Sequence, residues 1–180
     1  VQVKSISRIA IAVALLIVVS VVVPPIPLFL LPVPVTLQTA MVLLIGLLLS
    51  PNEAGFAVLL YLILGTLGLP VFAGGTGGIA IVLGPTGGFL LAMPIAALAT
   101  AIMQRYWNTD NKFYKAAIAG IVATVIIHVL GIAVWTISLN VSLWSVIVSD
   151  AVFLPGDILK LIIVLLIWSR LARLSLFKYN

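Results

Sequence analysis

Long runs of apolar residues, nearly free of charge and cut by Pro and Gly, constrain this chain more than any other feature. The first runs from about Ser5 to Val23 and stops at Pro24-Pro25; five more cover roughly 36–49, 51–68, 84–104, 115–136 and 155–170. An α-helix needs about 20 such residues to cross the ~30 Å hydrocarbon core of a bilayer. The second and third runs are shorter, about 15 to 18 residues, which implies little tilt or an incomplete crossing. Charged residues make up only 7% of the 180 residues, against about 25% in soluble domains, so a water-facing surface cannot be covered. Disorder is excluded by the same hydrophobicity. With no Cys, a disulfide framework, a Cys-ligated metal and a thiol nucleophile are excluded as well. The expected fold is an all-α integral membrane protein, one domain over residues 1–180 with six transmembrane helices.

Lys4 and Arg8 followed by an apolar run resemble a signal peptide, but further spans follow, so a retained first helix is expected. Orientation follows from the basic residues. With the N-terminus inside, the inner segments hold Lys4, Arg8, Arg105, Lys112, Lys115, Arg170, Arg173 and Lys178, while loops 24–35, 69–83 and 137–154 hold no Lys or Arg. This places both termini in the cytoplasm, with Lys160 left inside the sixth span. The basic residues form no dense run, so no nucleic-acid partner is expected; the surrounding medium is membrane lipid.

Ser50-Pro51-Asn52-Glu53 reads as a helix start, with Ser50 as N-cap, Pro51 at the first helical position and Glu53 closing a capping box. Gly88, Ala92, Ala96 and Thr100 repeat at four-residue spacing, and Gly120, Thr124, His128, Gly131 and Trp135 share a helix face. Small residues so spaced allow close helix packing in lipid. Ala10 and Ala14 form a similar pair that suits either an internal helix contact or a partner's helix.

Catalysis finds little support, and an enzyme is not expected. No Walker sequence, His-Glu-x-x-His, acidic metal-diphosphate motif or nucleophile elbow is present. One His cannot build a typical metal site; His128 reads as a neutral, hydrogen-bonded interior residue. Asp157 and Lys160 are more informative, because ionisable groups within a span are costly and usually functional. Three residues apart, they share a helix face behind Pro155. Gly74-Gly75-Thr76-Gly77-Gly78 and Gly84-Pro85-Thr86-Gly87-Gly88 lie in loops on the same outer side. Such loops let backbone amides approach a ligand, so an outward-facing pocket for a small polar or anionic molecule is expected.

Four ordered motifs carry a resemblance: Pro34-Val35-Thr36-Leu37-Gln38-Thr39, Gly68 to Gly75, Leu83 to Leu90, and Pro155-Gly156-Asp157-Ile158-Leu159-Lys160. Together they resemble the BioY family, biotin-specific substrate-binding S-components of energy-coupling factor (ECF) transporters. The resemblance covers nearly the whole chain; the family more often has Tyr where Phe89 stands and Gly-Phe where Ala92-Met93 stands. It implies high-affinity biotin binding from outside at the bacterial plasma membrane. It also implies docking, through Ala10 and Ala14, onto a membrane T-component with two cytoplasmic ATPases. Biotin is then the transported ligand, and no cofactor is implied.

For that ligand, Asp157 accepts from a ureido N–H and Lys160 donates to the ureido carbonyl, or Lys160 meets the valerate carboxylate. Gly74, Gly75 and Thr86 belong to the glycine-rich segments, and Gln38 is a further polar candidate. Phe72, Phe89, Trp135 and Trp144 are candidate apolar walls. The rival reading is a self-contained small-solute permease, which needs a second access path within the chain.

Overall fold

The computed structural model describes residues 3–28 and 30–172; Arg173 and Lys178, two of the basic residues that set the expected orientation, lie outside the described residues. The described chain is helical, and its extended segments meet only in two isolated bridges, Ile26 with Val35 and Phe72 with Thr76. Helix α1 (Val3–Val22) ends where Pro24-Pro25 withdraws the amide donors a helix needs. Helix α2 (Gln38–Leu48) is followed almost at once by α3 (Pro51–Thr66). The Glu53 carboxylate accepts from the Ser50 backbone N–H at 3.1 Å and from its hydroxyl at 2.8 Å. Arg8 lies 3.6 Å from the other Glu53 oxygen, so the same acid ties α1 to the start of α3.

Two stretches expected as loops contain helix. Residues 69–83 hold a 3-10 turn over Ala73–Gly75 and a short helix α4 (Ile79–Leu83), which glycines bound at both ends. Residues 137–154 hold α7 (Leu143–Asp150), started by Ser142, whose hydroxyl accepts from the Ser145 N–H at 3.2 Å. The longer helices are α5 (Gly87–Tyr106), α6 (Lys112–Leu139) and α8 (Leu154–Leu171). A left-handed Asn140 (φ 51°) ends α6, a conformation Asn tolerates better than most residues. Among the described residues, four helical stretches are long and apolar enough to cross a membrane: α1, α5, α6 and the run 143–171. Helices α2 and α3, with 11 and 16 residues, fall short of that length.

Close packing through small residues holds the centre together. Ala92, Ala96 and Thr100 of α5 and Ala116, Ala119 and Ala123 of α6 are fully buried. A Cβ built on Gly88 would lie 2.4 Å from the Leu130 carbonyl oxygen of α6, and one on Gly46 of α2 would lie 2.6 Å from Thr100 Cβ. Backbones that approach so closely gain dispersion contacts that lipid cannot replace. Trp168 of α8 donates its indole N–H to the Leu47 carbonyl of α2 at 3.2 Å. The Leu, Ile and Val side chains of the outer faces remain exposed.

Candidate ligand-binding site

A cavity of about 390 Å³ opens between α2, α5, α6 and α8, within the 300–1,000 Å³ range of small-molecule sites. The segment between α1 and α2 closes one side with Pro25, Val33, Pro34, Val35 and Thr36. Its ends are pinned together: Ile26 and Val35 exchange backbone hydrogen bonds of 2.9 and 3.0 Å. The walls are mostly apolar, with rings from Phe72, Phe89 and Phe153. Phe89 stands edge-on to His128 at 6.3 Å between centroids and is backed by Trp135 at 6.4 Å.

Polar groups gather at one end. The i, i+3 spacing on α8 brings Lys160 Nζ to 2.8 Å from Asp157 Oδ1. Lys160 also donates to Thr39 Oγ1 at 3.3 Å, which joins α8 to α2. Asp157 Oδ2 lies 3.0 Å from His128 Nε2, and His128 Nδ1 lies 2.6 Å from Asp150 Oδ2. The four side chains are each between 6% and 12% exposed. Such a cluster survives in a low-dielectric interior because its charges are paired and hydrogen-bonded. A second polar group is neutral: Gln38 donates to the Tyr61 hydroxyl, which donates to Ser20 Oγ at 3.1 Å. Among the described residues no cluster has the ligands to hold a metal ion. The arrangement suits a compact molecule with an apolar body and one end carrying both hydrogen-bond donors and an acceptor. Asp157 supplies acceptors, Lys160 a donor, and the rings supply apolar contact.

A sequence profile described as the BioY family matches residues 1–176. The chain belongs to the BioY family. It is 34% identical over 146 residues to the biotin transporter BioY of Rhizobium etli, covering 76% of each chain. It is 35% identical to the biotin transporter BioY of Rhodobacter capsulatus, covering 78% of this chain and 80% of that one. A crystal structure of the S-component for biotin from an ECF-type ABC transporter superposes with a TM-score of 0.89, covering 97% of this chain and 94% of that one at 29% identity. The named relatives are transporters.

Of the residues singled out from the sequence and the BioY resemblance, Asp157, Lys160, Gln38, Thr86, Phe72 and Phe89 all line this one cavity. Gly74 and Gly75 do not; their neighbours Ala73 and Thr76 do. Both glycines take left-handed φ values, 68° and 73°, in the turn closed by the Phe72 N–H to Thr76 carbonyl bond of 2.8 Å. They shape the turn that presents Ala73 and Thr76. Trp135 sits behind Phe89 rather than in the wall. Trp144 is a correction: it is 73% exposed and absent from the cavity lining. Helix α7 turns Val146 and Asp150 inward, and Trp144, two positions from Val146, falls on the opposite side. Ala10 and Ala14 lie on the exposed face of α1, whereas Ala12, Val13 and Leu16 are buried, so among the described residues they do not pack inside this chain.

Sequence reasoning missed Asp150 and the link that His128 makes. Asp150 and Asp157 are seven residues apart, two helical turns, and both reach the same imidazole. The signal was available: Asp150 is one of only four acidic residues in the chain and stands in an apolar stretch.

Proposed function

We propose that this protein binds biotin with high affinity as the S-component of an ECF-type transporter in the bacterial plasma membrane. The chain crosses the membrane six times with both termini cytoplasmic, α2 and α3 forming the two short crossings. The ureido ring meets Asp157 and Lys160, one accepting from N–H and the other donating to the carbonyl, while Phe72 and Phe89 flank the fused rings. Ala10 and Ala14 on α1 dock the protein onto an energising module of a membrane T-component and two cytoplasmic ATPases.

One observation carries this reading. The Asp157–Lys160 pair stands in an apolar cavity of suitable size, in a chain that superposes over nearly its whole length on the S-component for biotin. The test is calorimetric titration of the purified protein in detergent with biotin, thiamine and riboflavin. Tight 1:1 binding of biotin alone is expected. Equal affinity for all three vitamins, or none for biotin, refutes the assignment.

A further inference from the structure

Asp150 does not line the cavity, yet it is 4% exposed and spends one carboxylate oxygen on His128 while the other is buried without a partner among the described residues. Burying a carboxylate is costly unless it is paired and hydrogen-bonded, and the partner that offsets the cost for Asp150 is His128 at 2.6 Å. We propose that Asp150 and His128 are positioning residues: Asp150 holds His128 as an imidazolium, which fixes Asp157 as an ionised, acceptor-only group at the cavity. The proposal rests on the reading that Asp157 and Lys160 receive the ligand's ring.

Hydrogen-bond stoichiometry supports it. A neutral imidazole offers one N–H and one lone pair. Between two ionised carboxylates at 2.6 and 3.0 Å, one of its contacts sets lone pair against lone pair. A second ring proton removes that conflict. Imidazole is the more basic partner in water, with a pKa of about 6.5 against about 3.9 for Asp, so the proton belongs on the ring. With both carboxylates ionised, charge balance agrees: Asp150 and Asp157 against His128 and Lys160 then sum to zero with an imidazolium. A neutral ring leaves one uncompensated negative charge in a membrane interior.

No other charged group disturbs this count among the described residues. Helix α5 presents the edge of Phe89, α2 presents Gln38 and Thr39, α6 itself presents Thr124, and Asp157, Lys160 and His128 are the only titratable side chains lining the cavity. With both oxygens tethered, to His128 and to Lys160, the Asp157 carboxylate cannot rotate away, and its remaining lone pairs stay available to N–H donors. The site therefore selects ligands that donate N–H at this end.

The chain contains a single histidine, so protein labelled with ¹⁵N-histidine gives one imidazole spectrum. Ligand-free protein at neutral pH is expected to show both ring nitrogens protonated. Asp150→Asn is expected to convert the ring to the neutral form and to weaken biotin binding by roughly tenfold. Asp150→Glu should keep the imidazolium and recover affinity to within a few-fold of the parent, which loss of packing alone does not predict. A neutral imidazole in the unaltered protein overturns the proposal, as does an Asp150→Asn variant that binds biotin like the parent. If Asp150→Asn does not fold, the spectra of the parent and Asp150→Glu decide. The spectrum of the parent needs no ligand, so failure to bind biotin refutes the proposed function while the charge state of His128 is still read.

Discussion

Gly88→Ala tests whether the close approach of α5 and α6 sets the shape of the cavity. The added methyl group would lie 2.4 Å from the Leu130 carbonyl oxygen, 2.6 Å from Val134 Cβ and 3.0 Å from Gly131 Cα. Two of these three atoms belong to the backbone, which cannot swing aside as a side-chain end can. Restoring van der Waals contact requires the helices to separate by about 1 Å, and overpacking of this kind costs about 1–3 kcal/mol. The residue after Gly88 is Phe89, and α5 also supplies Leu90 and Met93 to the cavity, opposite Thr124, Ile127 and His128 of α6. The separation therefore widens the ligand site itself. A loss of about 1.4 kcal/mol in the bound state reads as a tenfold weaker Kd. Gly156→Ala is the matched control, because a Cβ there meets nothing within 4 Å and its φ is not left-handed. Calorimetry with biotin and thermal unfolding in detergent should show Gly88→Ala weaker on both counts and Gly156→Ala unchanged or slightly more stable. If Gly88→Ala binds and unfolds like the parent, the packing argument fails.

Other substitutions probe separate parts of the molecule. Removing one partner of a buried ion pair costs about 3–5 kcal/mol, so Asp157→Asn and Lys160→Ala should each lower biotin affinity at least tenfold in the same titration. Asp157→Asn should be the more severe, since Asp157 contacts both His128 and Lys160; unchanged affinity in both variants would remove the pair from the site. Ala10→Trp or Ala14→Trp should block co-purification with the energising module and stop biotin uptake, while binding by the isolated protein stays within a few-fold. Loss of binding together with uptake would refute docking at this face. Tyr61→Phe deprives the buried Gln38 amide of its acceptor, a change worth about 1–3 kcal/mol, and should lower the unfolding temperature in detergent; an unaltered transition would show that another group takes the bond.

Local patterns in the sequence carried over well. The Ser50–Glu53 cap needs partners three residues apart, and so does the Asp157–Lys160 pair. The stripe from Gly88 to Thr100 shows its purpose through spacing alone. What stayed hidden depends on distant partners. The two carboxylates on His128 come from positions 22 and 29 residues away, and no local periodicity brings them to one ring. Trp144 misled because α7 carries apolar residues on its exposed side as well as its buried one, so composition does not tell the two apart. Gly74 and Gly75 marked a real turn, but which residues a turn presents is decided by its dihedral angles, not by its glycines.

The brevity of α2 bears on the chain ahead of it. Eleven residues rise only about 16 Å, and the irregular backbone ahead of α2 continues that wall of the cavity with Pro25 and Val33 to Thr36. Where such a segment packs against protein, each buried amide needs a partner. Five of the residues from 24 to 37 are Pro, each without an N–H to satisfy. Three of the remaining amides, those of Ile26, Leu31 and Val35, donate within the segment at 2.8 to 3.0 Å. Proline is usually read as an interruption of structure. In this segment it leaves a non-helical wall with few donors to satisfy, and that lets the wall follow the outline of the cavity rather than the pitch of a helix.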